Sequence, residues 1–318
     1  MTTDKTLTPG EIIARGGSDP VFLRLPDRAT LFTQRAARMD QLAIDHPMGE
    51  YLGLLARVAT AQGALLNELP LGGLPLPDDA ALRAAKTHQM PPLAVQSWPR
   101  DPQWQTLLKT LVARLRPQVG EGARNVLDHI ASAPGDWIED QANRILNQRE
   151  QALDRGAAVF IAAALQVYWT HLTTTLGDNA FARLDVGNVC PCCGSHPVAS
   201  ILRPVAGAFQ RYLVCSLCAA EWNYSRIKCV ACGNDKDIEY LNADQMGEAL
   251  KAECCPQCNT YTKLMYTDKD PHLEAVADDL ASIGLDFAIA DTTDFMRATI
   301  NLALFPGDED AEVTEDSV

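Results

Sequence analysis

Apolar residues along the first half of the chain fall on helical spacing. Leu107, Leu108, Leu111, Val112 and Leu115 recur at the 3.6-residue period, with Asp101 as N-cap, Pro102 at the first helical position and Pro117 ending the run. The same period predicts helices over Ala29–Ile44, Gly49–Leu69, Ala80–Lys86, Glu121–Ser132, Trp137–Arg149 and Gln151–Leu176, punctuated by Gly, Pro and Asp. Strand-like alternation is nearly absent there. The runs Leu69–Pro77 and Pro91–Pro102 are rich in turn residues and read as connectors. After Asp185 the texture changes to short β-branched and aromatic runs between cysteine pairs. A helical stripe then returns with Leu273, Val276, Leu280, Ile283, Leu285 and Phe287, opened by Asp270 as N-cap and followed by an extended piece, Arg297–Phe305.

These boundaries predict an α+β chain: an all-α domain over 1–184, two tandem rubredoxin-like or zinc-ribbon modules over 185–224 and 225–266, a C-terminal helix with an extended segment over 267–306, and a tail over 307–318. The last helix is expected to pack back on the bundle or on the modules.

The cysteines define the modules. All ten lie between Cys190 and Cys258, and eight form the pairs Cys190/Cys193, Cys215/Cys218, Cys229/Cys232 and Cys255/Cys258. Twenty-one residues separate the first two pairs, 22 the last two, and only 10 the halves, so one arrangement is written twice. Cys190-Pro-Cys-Cys-Gly aligns with Cys229-Val-Ala-Cys-Gly, which puts Ile201 and Leu202 on Tyr240 and Leu241. In a Cys-x2-Cys knuckle the chain reverses so that both thiolates reach one ion, and two facing knuckles close a tetrahedral site with no coordination place left for water. Such a site is structural or electron-transferring, and zinc and iron both suit it. Two ions are therefore expected, each held within one copy by Cys190, Cys193, Cys215 and Cys218 or by Cys229, Cys232, Cys255 and Cys258; a cross-braced pairing is the alternative. Cys192 and Cys254 are left over, as buried bystanders or as redox-active thiols. Each ribbon is too small to fold on its own core, so losing a ligand such as Cys215 is expected to disrupt that ribbon and spare the helices.

Composition narrows the function. The 318 residues are 47% hydrophobic, with Lys plus Arg at 27 against Asp plus Glu at 41, giving a net charge of −14. Six acids and no base follow Phe305, so 307–318 reads as a solvated acidic tail. Between Val186 and Tyr266 seven bases meet seven acids, without the basic face of a nucleic-acid-binding ribbon. The first twenty residues lack the apolar core of a secretory signal, and the apolar stretch Ala157–Trp169 falls short of a bilayer span, so a cytoplasmic location without membrane insertion is expected. The six histidines are scattered, there is no phosphate loop or nucleophile elbow, and no catalytic constellation emerges. Trp222, Tyr212, Tyr224, Tyr240 and Tyr261 are more large groups than two ribbons can readily bury, and so are candidate anchors for a protein partner, with packing over the knuckles as the equal alternative for Trp222 and Tyr212.

Cys-Pro-Cys-Cys-Gly-Ser-His-Pro-Val at 190–198, Arg211-Tyr212-Leu213 before Cys215, Glu221-Trp222, Arg226-Ile-Lys-Cys229, Tyr261 with Lys263, HLEAVADDLASIGLD at 272–286 and NLALFPG at 301–307 together resemble the formate dehydrogenase accessory protein FdhE family. Cys192 and the acidic end depart from its pattern. The resemblance implies a cytoplasmic accessory protein, not an enzyme. It would be needed for active respiratory formate dehydrogenase and would bind the catalytic subunit before export, with iron favoured in the rubredoxin-like sites. A rubredoxin-type electron carrier and a generic zinc-ribbon adaptor use the same eight thiolates.

Overall fold

A computed structural model describes residues 20–70, 73–205, 208–242 and 247–305. The acidic tail lies outside them. Among the described residues, seven α-helices build the first half: α1 (Leu31–Leu42), α2 (Gly49–Glu68), α3 (Asp79–Thr87), α4 (Gln103–Leu115), α5 (Glu121–Ser132), α6 (Gly135–Leu146) and α7 (Arg155–Leu176). Each matches a periodic run in the sequence to within a few residues. Asp101 caps the start of α4 by accepting the Gln103 N–H at 2.9 Å, and Asp154 does the same for α7 through Ala157 at 2.9 Å. The apolar stretch lies in α7, which is buried along nearly its whole length at the centre of the bundle. Among the described residues it is the one helix long and apolar enough to cross a membrane, and 94% of that window is inside the protein.

One polar group on α7 makes the bundle sensitive to acid. Arg28 Nη1 sits 2.9 Å from His171 Nδ1, and because a guanidinium only donates, that nitrogen must accept and the ring must be neutral. Burial, helped by the charge of Arg28, lowers His171 to about 4. A depressed histidine gives stability that is full above its unfolded value near 6.5 and lost as the pH falls towards the folded value. Acidification from pH 7 to 5 should therefore cost about 2 kcal/mol through this residue. Urea titrations at both pH values, repeated on His171→Leu, should show that much less loss in the variant. Equal losses would place the titration elsewhere.

The second half is an eight-stranded mixed sheet. Its strands are β1 (Leu23–Arg24), β2 (Pro197–Val205), β3 (Ala208–Cys215), β4 (Glu221–Tyr224), β5 (Glu239–Leu241), β6 (Leu250–Cys255), β7 (Thr260–Tyr266) and β8 (Met296–Arg297), in the order β1-β4-β3-β2-β7-β6-β5 with β8 also on β7. The duplication is visible strand by strand. Each copy is an antiparallel three-stranded unit, β4-β3-β2 and β7-β6-β5, and the first strand of one copy pairs in parallel with the third strand of the other, Ser200 opposite Leu264 and Leu202 opposite Tyr266. The outer edge of β4 is covered by β1, with Leu23 opposite Trp222 and Arg24 opposite Glu221. No periodicity announces this two-residue strand.

The predicted C-terminal helix is two, α8 (Ala275–Ala281) and α9 (Ile283–Thr292). Glu274, not Asp270, caps α8 by accepting the Val276 and Ala277 N–H groups, while Asp270 accepts from His272 in the preceding turn. The break at Ser282 coincides with a buried cation: Lys263 Nζ on β7 donates to the carbonyls of Asp279 and Ser282 and pairs with Asp286 at 2.6 Å. These helices touch both halves. Arg35 and Arg38 of α1 pair with Glu274, Asp270 and Asp278, and Val276 and Leu280 join a core containing Met39, Ile201, Ala252 and Met265.

Candidate metal centres

Four knuckles carry the paired cysteines, and each ends in a residue with left-handed backbone: Gly194 (φ 72°), Ala219 (58°), Gly233 (76°) and Asn259 (52°). Glycine reaches this region freely and asparagine readily, whereas Ala219 holds it at some cost. The reversal aims backbone N–H groups at sulfur. Cys192 N–H points at Cys190 Sγ at 3.4 Å, and the Leu217 and Cys218 N–H groups converge on Cys215 Sγ at 3.4 Å each. Backbone bonds from the Cys190 N–H to the Ser195 carbonyl and from the Cys229 N–H to the Asn234 carbonyl close the first knuckle of each copy on itself.

The thiols gather into two groups of four, Cys190, Cys193, Cys215 and Cys218, and Cys229, Cys232, Cys255 and Cys258, with all four sulfurs of a group within 4.8 Å of one another. Facing sulfurs lie 3.6 Å (Cys190–Cys218), 3.5 Å (Cys193–Cys215), 3.7 Å (Cys229–Cys258) and 3.7 Å (Cys232–Cys255) apart. A tetrahedron with metal–sulfur arms of about 2.3 Å has edges of about 3.8 Å, so both groups have the shape of a four-thiolate site. Each group is assembled within one copy. Cys192 and Cys254 stay outside both, buried in the cores on either side.

The surroundings of the groups differ. The first is fully buried, with all four cysteines at 1% exposure or less. Its core is shared with the helical half, including Trp104, Leu165 and Trp169. The Leu93 and Val95 N–H groups donate to the carbonyls of Cys192 and Cys193, Trp169 Nε1 donates to Leu93, and Gln166 Nε2 on α7 reaches the Ser216 carbonyl at 2.8 Å. The connector Pro91–Pro102 thus clamps the first knuckle. Burial drives the Cys190 and Cys193 thiols far above the usual range. Burial also opposes the Cys218 thiolate, but hydrogen bonds from Cys190, Cys192, Cys193 and Cys215 outweigh it and hold Cys218 well below. A cation must displace the remaining protons.

The second group sits at the surface. Cys229 and Cys255 are buried, Cys258 is half-buried and Cys232 is exposed. Tyr224 donates its hydroxyl to the Cys229 carbonyl at 2.9 Å, and Asn234 Nδ2 reaches Cys255 Sγ at 3.6 Å.

Arg211 on β3 joins the copies. Its guanidinium donates to Ser200 Oγ, to Glu253 of β6 at 2.7 Å and to the Lys228 carbonyl just before Cys229, and neither charged side chain is more than 2% exposed. Burial outweighs this pairing and pushes the Glu253 carboxyl up. Sequence reasoning missed this pair; the available signal was one base and one acid, each inside a strand-like apolar run. The aromatic expectation needs correction at Tyr261, while Trp222 and Tyr212 take the buried alternative. Tyr212 (0%), Trp222 (2%) and Tyr261 (4%) are buried and Tyr224 partly so, leaving Tyr240 as the exposed member, because the helices and the linker between the copies cover more of the sheet than two free ribbons would.

Three matches to family descriptions tile the chain: "FdhE, N-terminal" over residues 20–185, "FdhE, central domain" over 189–226 and "FdhE, C-terminal domain" over 227–304. Protein FdhE of Escherichia coli is 37% identical over 287 residues, 90% of this chain and 92% of that one. The chain belongs to the FdhE family. The Serratia proteamaculans FdhE homologue is 40% identical over 279 residues, 87% of this chain and 89% of its own. The crystal structure of the FdhE protein from Pseudomonas aeruginosa superposes with a TM-score of 0.81 at 36% identity, covering 90% of this chain and all of that one. The family matches run across the helical half, both cysteine-bearing copies and the C-terminal helices, and the solved FdhE structure shares this overall fold.

Proposed function

We propose that the chain is a maturation factor for a respiratory formate dehydrogenase, binding the catalytic subunit in the cytoplasm before export and catalysing no reaction itself. The kinship to FdhE proteins along almost the whole chain, both thiol groups included, carries this reading. In it, Cys190, Cys193, Cys215 and Cys218 hold one ion and Cys229, Cys232, Cys255 and Cys258 the other, with iron favoured by the family resemblance and zinc compatible with the same donors. Four thiolates saturate a tetrahedral ion, which suits holding a shape or passing an electron and leaves no place to activate water.

The test is co-purification. The tagged full-length chain should retain the formate dehydrogenase catalytic subunit from cells producing both, and should still do so when cut after Gly307, since the sequence beyond it offers little but negative charge. No complex with the full-length chain would sink the reading. One observation favours a second reading, rubredoxin-type electron transfer: the exposure of Cys232 places an ion in the second group close to any docked redox partner. Iron bound there whose visible spectrum bleaches reversibly as a partner protein is oxidised would select it.

A further inference from the structure

The two thiol groups have the same ligand chemistry and opposite access. Around the first, hydrogen bonds from Leu93, Val95 and Gln166 and a core containing Trp169 and Leu217 close the shell. Beside the second runs a groove of about 600 Å³, lined by Gly187, Asn188, Tyr224, Lys228, Cys232 and Gly233 among others. We propose that the two ions have unequal roles: the first is kept for the lifetime of the fold, whereas the second is exchanged with thiol-bearing or chelating ligands that enter along this groove and displace Cys232. This rests on the eight-cysteine reading above.

The physical argument concerns how a thiolate leaves an ion. A four-coordinate ion surrenders a ligand most easily when an incoming donor is already at hand, and the departing thiolate needs solvent or a proton to receive it. Cys232 meets both conditions, because its side chain is exposed and opens on the groove. The other three ligands are better held. Cys229 and Cys255 are buried, Cys255 is reached by Asn234, and Cys258 Sγ lies 3.1 Å from Thr260 Oγ1. In the exchange the incoming sulfur donates an electron pair to the ion as the bond to Cys232 breaks. The proton of the incoming thiol passes through solvent to Cys232, and no atom changes oxidation state. In the first group the same step requires opening the core shared by the helices and the sheet, and openings of core elements cost close to the free energy of global unfolding.

The full chain loaded with two zinc ions and challenged with the chromogenic chelator 4-(2-pyridylazo)resorcinol should release one ion at least about a hundredfold faster than the other. Iodoacetamide labelling of the loaded chain, read by mass spectrometry, should reach Cys232 first and Cys190, Cys193, Cys215 and Cys218 last. Cys232→Ser should lose the fast ion or weaken its binding while the slow ion leaves at an unchanged rate. Release of both ions at one rate, or labelling of the first group as early as Cys232, would overturn the proposal. A chain that takes up fewer than two ions would instead overturn the eight-cysteine reading on which it rests.

Discussion

Cys215→Ser should unfold the chain as a whole and not only its first ribbon. Cys215 is 1% exposed within a core that runs unbroken from the first thiol group to Trp104 and Leu165 of the helical half. A structural four-cysteine zinc site contributes about 10–16 kcal/mol when the ion binds. A whole domain is stable by only about 5–15 kcal/mol. Loss of this site therefore exceeds what the helices can absorb, and the serine adds a buried hydroxyl where a thiolate stood. Far-UV helicity and the main thermal transition should fall together in Cys215→Ser. Cys232→Ser, at the surface group, should leave the helical transition close to that of the parent. A Cys215→Ser chain whose helices melt as before would restore the expectation of a self-contained ribbon, which rested on the size of the ribbon and took no account of what packs against it.

The second large effect is expected at Arg211. Replacing it with methionine leaves Glu253 buried without its partner and frees the Ser200 hydroxyl and the carbonyls of the linker between the copies. Breaking one side of a buried ion pair costs about 3–5 kcal/mol. The double change Arg211→Met with Glu253→Leu should recover most of it, because removing both charges abolishes the desolvation that the pair offsets only in part. Arg211→Lys should rescue poorly, since one ammonium cannot span Ser200, Glu253 and the backbone together. Urea unfolding of the parent, Arg211→Met, Glu253→Leu and the double variant measures the cycle, and additive losses in the double variant would show that the two charges do not act through each other.

The helical half was legible because each helix there buries one face, and burial on one face writes a 3.6-residue period whether or not the partner is known. Leu107 to Leu115 and the long run in α7 are examples. The thiol groups were legible because ligand spacing is local: two cysteines share an ion from one knuckle when only about two to four residues separate them. What escaped depends on tertiary contact. The two-residue strand β1 has no period to read, and the second thiol group resembles the first in sequence while lying at the surface. The division of the C-terminal helix at Ser282 follows from Lys263, some twenty positions away in sequence. The burial of Trp222 and Tyr212 follows from the same limit, since the composition of the ribbons says nothing about what covers them.

The parallel seam between β2 and β7 joins unlike edges, the first strand of one copy to the third strand of the other. A head-to-tail contact of this kind is not self-complementary, and repeated between molecules it would close into a ring or run on as a filament. The chain carries both complementary edges, β5 at one end and β4 at the other, so the ingredients of such growth are built in. Leu23 and Arg24 cover one of them. By pairing with Trp222 and Glu221, two residues from far upstream in the chain blunt the β4 edge on which the β5 edge of another molecule would otherwise land.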